Sequence, residues 1–105
     1  MTIDPQTIEA LKAKHGDTLT LLEAEGVEIV VKPIDLGSYR IFKKKAANEE
    51  TRATAGEDLL YGVLVHPTRE ELQIAVRGRP FLLEHFAGEV VKNAGALAEV
   101  RSKKL

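Results

Sequence analysis

Cysteine is absent from this 105-residue chain, which excludes disulfides, thiolate metal sites and cysteine nucleophiles. Tryptophan is absent too, and three Phe and two Tyr are all the aromatics, so the core must be mainly Leu, Val, Ile and Ala. No window approaches the ~20 apolar residues of a membrane-spanning helix. The start, Met1-Thr2-Ile3-Asp4, lacks the basic residues and apolar run of a secretory leader, so a soluble, intracellular protein is expected. Neither sign of charge dominates. The 15 Lys+Arg against 16 Asp+Glu leave a net charge of −1, which weighs against bulk electrostatic binding to nucleic acid.

Catalytic groupings are missing as well. The three histidines, His15, His66 and His85, form no HExxH pattern and no pair at ligand spacing, so no metal site is expected. Arg77-Gly78-Arg79-Pro80 lacks the several glycines of a phosphate loop and reads as a C-cap glycine followed by a proline opening the next helix. No acid, base and nucleophile set can be assembled, so the expectation is a non-enzymatic protein without a cofactor.

What is present suffices for one domain: 44% hydrophobic residues for a core and 30% charged residues for a solvated surface. Asp4 is an N-cap candidate with Pro5 at the first helical position, Ile3 and Ile8 stand at staple spacing, and Gly16 can end the helix. From Thr18 the period changes to two. Leu19 and Leu21 alternate with Thr18, Thr20 and Leu22, and Val27, Ile29 and Val31 alternate with Glu28, Val30 and Lys32, around Glu23-Ala24-Glu25-Gly26. That is a β-hairpin, closed by Pro33, whose apolar face needs a cover. Ser38 can cap a helix carrying Tyr39, Phe42 and Ala46, with Lys43-Lys44-Lys45 on its polar side.

The stretch Thr54–Asn93 organises the rest. Thr54 and Glu57 have capping-box spacing ahead of Leu59-Leu60-Tyr61-Gly62-Val63-Leu64-Val65, which His66-Pro67 breaks. Thr68 and Glu71 repeat that spacing, and Pro80 opens a third helix. The predicted core here is Leu60, Val63, Leu64, Leu72, Val76, Leu82 and Phe86. The last helix is apolar on more than one side, so Phe81, Leu83, Ala87 and Val91 are candidate partner-binding residues. The fold class expected is α+β in a single domain, 1–105: a short N-terminal helix, a hairpin in 16–33 and a mainly helical bundle in 38–95. Residues 96–105 are either a last helix or a frayed basic end.

One order of segments carries a resemblance. Lys12-Ala13-Lys14-His15-Gly16 leads into the Glu25-Gly26 turn, Lys32-Pro33, and Ser38-Tyr39-Arg40-Ile41-Phe42-Lys43. The apolar run ending in His66-Pro67, then Glu71-Leu72 and Arg79-Pro80, follow. From about Leu11 to Ala94 this resembles the tail assembly chaperones of long-tailed phages and prophages. The resemblance implies a small non-enzymatic protein of the host cytoplasm that coats the aggregation-prone tape measure protein and helps recruit tail tube subunits. It implies absence from the finished virion, and often a longer frameshift product as well. A homo-oligomer is compatible with that role. Two other classes fit the residues: a DNA-associated regulator using Arg40–Lys45, and a structural tail or adaptor protein.

Overall fold

The hairpin is where local chemistry dictates geometry most directly. In the computed structural model, which describes residues 1–105, β1 (Thr20–Ala24) and β2 (Val27–Val31) run antiparallel around Glu25-Gly26. Both turn residues have positive φ, 51° and 78°. This is the type I′ pattern, whose twist matches that of the strands it joins. The Glu23 carboxylate accepts the Gly26 N–H at 2.8 Å and stiffens the corner. The turn sets the register, placing Leu22 opposite Ile29 and Ala24 opposite Val27.

That register corrects the predicted alternation on β1. Leu22 faces the core, and Leu21 is 45% exposed. Leu21-Leu22 offers an apolar residue to either face, so the turn makes the choice, and a one-residue shift exchanges the faces. Leu22, Val27, Ile29 and Val31 join one cluster with buried residues of the later helices. Ile8 and Leu11 of α1 (Pro5–His15) line a shallow hollow on the opposite face, beside Leu21 and Val30. The α1 boundaries follow the sequence expectation. Asp4 accepts the Thr7 N–H at 3.0 Å, and Gly16, at φ 86°, sends its N–H to the Lys12 carbonyl at 2.8 Å.

A third strand was not foreseen. The run Leu59–Val65 reads as one helix, yet α2 (Leu36–Ala47) is followed by α3 (Ala55–Val63), which ends before Leu64. β3 (Leu64–His66) then pairs antiparallel with β2, giving the order β1-β2-β3. A continuous apolar run carries no period that separates helix from strand. Leu64 is consequently half-buried, packed against the core rather than in it. Beyond β3 the chain start occupies the same side of β2: Glu28 N–H donates to the Met1 carbonyl at 2.9 Å and Ile3 N–H to the Glu28 carboxylate at 2.7 Å.

The remaining elements are α4 (Arg69–Ala75) and α5 (Phe81–Val91). Leu60, Val63, Leu72, Val76, Leu82 and Phe86 are all buried, as predicted. The fold is α+β, a three-stranded sheet with α1 on one face and the later helices on the other. Gly78 has φ 85° but stands beyond Val76, the residue that caps α4. Pro80 takes the position before Phe81, one residue short of the predicted role. After α5 the chain makes one wide turn, Lys92–Ala96, with Gly95 at φ 97°. Residues 97–105 form no further helix and are exposed, so of the two readings of this tail the last helix is overturned.

Candidate binding groove

The site begins with how α2 is anchored. Its N-cap is Asp35, not the predicted Ser38: the Asp35 carboxylate accepts the Ser38 N–H at 2.7 Å, so Ser38 is already inside the first turn. Bonds from the Ser38 backbone and side chain, in that order, hold the Asp35 carboxyl below its ordinary range. At the other end the Thr51 hydroxyl donates to the Lys45 carbonyl at 2.8 Å, and Arg52 Nε donates to the Ala46 carbonyl at 3.0 Å. These bonds fold the chain back through a short 3-10 turn, Arg52–Thr54, into α3. Lys45 Nζ and Asp58 Oδ2, 3.1 Å apart and each 37% exposed, tie α2 to α3.

The 3-10 turn also overturns the predicted capping box at Thr54. Thr54 reaches α3 with φ −109° and ψ −1°, and its side chain makes no cap bond to the helix backbone. Its hydroxyl instead donates to the Thr51 carbonyl at 3.3 Å. The predicted box at Thr68 does form, with Glu71 N–H to Thr68 Oγ1 at 3.2 Å and Thr68 N–H to Glu71 Oε1 at 3.0 Å. Hydrogen bonding to the Glu71 carboxyl from the Thr68 backbone, and next from its side chain, lowers that carboxyl from its ordinary value.

α3 and α5 pack against each other at a narrow point. A Cβ placed at Gly56 would stand 3.7 Å from the Ala87 Cβ, an ordinary contact distance. A surface groove of about 580 Å³ opens above this point, and all four predicted partner-binding residues, Phe81, Leu83, Ala87 and Val91, line it. They play different parts. Phe81 is 70% exposed and forms a lip, Leu83 and Val91 are half-buried walls, and Ala87 is buried. Ala87 thus belongs to the core and supplies floor rather than a free contact surface.

The facing wall, Phe42 from α2 with Ala53 and Gly56, was not identified in the sequence. The charged side chains lining the groove are Glu57 and Glu84, both acidic. Glu57 also accepts the Tyr61 hydroxyl at 3.3 Å, and the Arg69 guanidinium lies 4.3 Å from the Tyr61 ring centre. Burial, as the largest cause, raises the Tyr61 hydroxyl above its ordinary value. A second hollow of about 570 Å³ shares Phe42 and Val91 and extends the trough towards Leu36 and Tyr39.

The basic run does not form one cationic face. Lys43 and Lys44 are exposed, Lys45 is committed to Asp58, and Phe42 turns into the groove rather than outward as a stacking platform. His15 and His85 are exposed and His66 is half-buried in β3. No group of three His, Asp or Glu side chains is placed to hold a metal ion. No helix is long and apolar enough to cross a membrane.

No protein-family model matches the chain, and no curated protein does. Among solved structures it is similar to that of uncharacterised protein rbstp2171 from Bacillus stearothermophilus. The TM-score is 0.71 at 22% identity, over 91% of this chain and 99% of that one. At this identity the likeness speaks for the fold alone.

Proposed function

We propose that the protein is a non-enzymatic tail assembly chaperone of a long-tailed phage or prophage. In this reading it binds and solubilises the tape measure protein in the host cytoplasm and helps recruit tail tube subunits. The observation that carries the proposal is the groove: an apolar trough between α2, α3 and α5, with Phe81 exposed at its lip. An exposed apolar concavity of this kind suits an amphipathic client helix, whose apolar stripe it would remove from water. The chain-long segment order that resembles such chaperones supports the same reading.

The tape measure protein is the natural client to test, because long helical chains with unpaired apolar stripes aggregate when made alone. Coexpression with the tape measure protein encoded nearby is expected to raise that protein's soluble fraction. Val91→Asp or Leu83→Asp should reduce this effect while the domain stays folded, since both positions are only half-buried. Burial of apolar area should dominate the association, so its salt dependence should be shallow. Failure to copurify, with client solubility unchanged, would reject the chaperone reading. DNA binding that weakens steeply with salt would favour a regulator acting through Arg40–Lys45 instead, and a defined stable oligomer indifferent to the client would favour a structural tail or adaptor role.

A further inference from the structure

Glu57 and Glu84 differ from the other acids that border the helices. The ion pairs of the molecule are Lys12–Glu9, Lys45–Asp58, Arg79–Glu25 and Lys92–Glu89, and neither groove acid belongs to one. Asp58, the residue after Glu57, is paired with Lys45 outside the groove. Glu57 accepts only the Tyr61 hydroxyl, at 3.3 Å, which holds it on the groove wall, and Glu84 is exposed. Each lies in the first turn of its helix, where a carboxylate suits the macrodipole. A helix start accounts for an acid, but not for its place on an apolar trough without a cation. In the adjoining hollow Asp35 and Lys43 offset each other, so the whole trough stays acidic in a chain whose charges nearly balance. Phe81, three residues before Glu84 on the same helix, is 70% exposed beside it. A carboxylate next to a bare aromatic ring is the chemistry that receives a cation.

We infer that Glu57 and Glu84 select the client: the groove takes an amphipathic helix whose apolar stripe is flanked by Lys or Arg and rejects one flanked by Asp or Glu. The inference rests on the groove reading above and adds the chemistry of the partner. A helix that lays its stripe on Leu83 and Val91 brings the residues bordering that stripe to the rims of the groove. A lysine or arginine there meets a carboxylate with no other cation, and its methylene stem can lie along Phe81. An acid there meets a like charge. Exposed pairs add little to affinity, so apolar burial still supplies most of the binding and the overall salt dependence stays shallow. Selectivity is a difference between partners, and repulsion of the wrong helix adds to attraction of the right one. An exposed pair changes binding by up to about fivefold, so two pairs, attractive with one helix and repulsive with the other, should separate the two by roughly tenfold.

Fluorescence anisotropy with three labelled peptides of about 18 residues, long enough to hold a helix, tests this on the whole protein. The peptides share one leucine stripe and differ only in its flanks, which are Lys, Gln or Glu. The parent is expected to bind them in that order, with roughly tenfold between the first and the last. Added salt should shrink that ratio and leave the Gln-flanked peptide almost unaffected. Glu57→Gln with Glu84→Gln, which keeps an acceptor for Tyr61, should level the three, and Glu57→Lys with Glu84→Lys should invert the order. Asp17→Lys with Glu70→Lys makes the same change of net charge at exposed positions outside the groove and should keep the parental order. Circular dichroism matching the parent establishes that each variant is folded. Equal binding of the three peptides by the parent would overturn the inference, and so would a parental order that the Glu57 and Glu84 variants retain or that the Asp17 and Glu70 variant loses. Val91→Gln tells this failure from that of the groove. If it weakens all three peptides, equal binding rejects charge selection and leaves the groove standing. Binding indifferent to Val91→Gln, or no binding of any peptide, rejects both.

Discussion

Thr54 and Thr68 invite comparison because the sequence treats them alike. Each is a threonine three residues before a glutamate at the start of an apolar helix. Only Thr68-Glu71 closes as a capping box. The difference lies in how the chain arrives. Thr68 follows Pro67 with φ −67° and ψ 160°, the extended conformation that aims a side-chain oxygen at the N3 amide. Thr54 arrives from a 3-10 turn already coiled, so its hydroxyl meets the Thr51 carbonyl and the Asp58 carboxylate instead of an α3 backbone amide. Capping spacing is therefore a necessary pattern, and the residues upstream decide whether it is used.

The two helices behind these threonines should respond alike in their cores and unlike at their starts. The largest effects belong to the cores. Leu60 on α3 and Leu72 on α4 both have no exposed surface, so either change to Ala should cost ~2–5 kcal/mol in chemical denaturation. Leu64→Ala should fall short of both because Leu64 is half-buried in β3. A cost for Leu64 equal to that of Leu60 would mean that β3 is misplaced.

At the helix starts, Thr68→Ala should lose about 0.5–2 kcal/mol with its cap. The acid response sharpens this further. Hydrogen bonds from Thr68 lower the folded-state pKa of Glu71, so its contribution is present above the ordinary value of 4.5 and is lost as pH falls through the lowered one. The stability gap between the parent and Glu71→Gln should accordingly narrow when melting is followed below pH 4.5. The smallest effect should be that of Thr54→Ala, within about 0.5 kcal/mol, as for an ordinary surface change. Equal losses at Thr54 and Thr68 would abolish the distinction between the two starts.

The same logic explains what the sequence disclosed. Helix, hairpin and later helices were legible because Asp4-Pro5, Glu25-Gly26 and Thr68-Glu71 act within a few residues of themselves. β3 was hidden because Leu64-Val65 prolongs an apolar run without changing its period, and only the exposed edge of β2 makes it a strand. The face of β1 was ambiguous between Leu21 and Leu22 until the turn set the register. One wall of the groove, on α5, could be read from apolar residues off the main stripe. The other wall could not: Phe42 and Gly56 reach it through the α2–α3 corner, a tertiary arrangement with no local signature.

The two glycines in that groove have a further consequence. Gly56 and Gly88 both sit inside helices, and neither has a positive φ that would demand glycine. A methyl group at Gly88 would meet nothing within 4 Å, and at Gly56 it would meet Ala87 at ordinary contact distance. Alanine at either place should also favour the helix, by roughly 0.5–1 kcal/mol. The space above these two positions can thus be filled one carbon at a time without disturbing the scaffold. Alanine at these two positions would narrow the trough while the architecture stays constant.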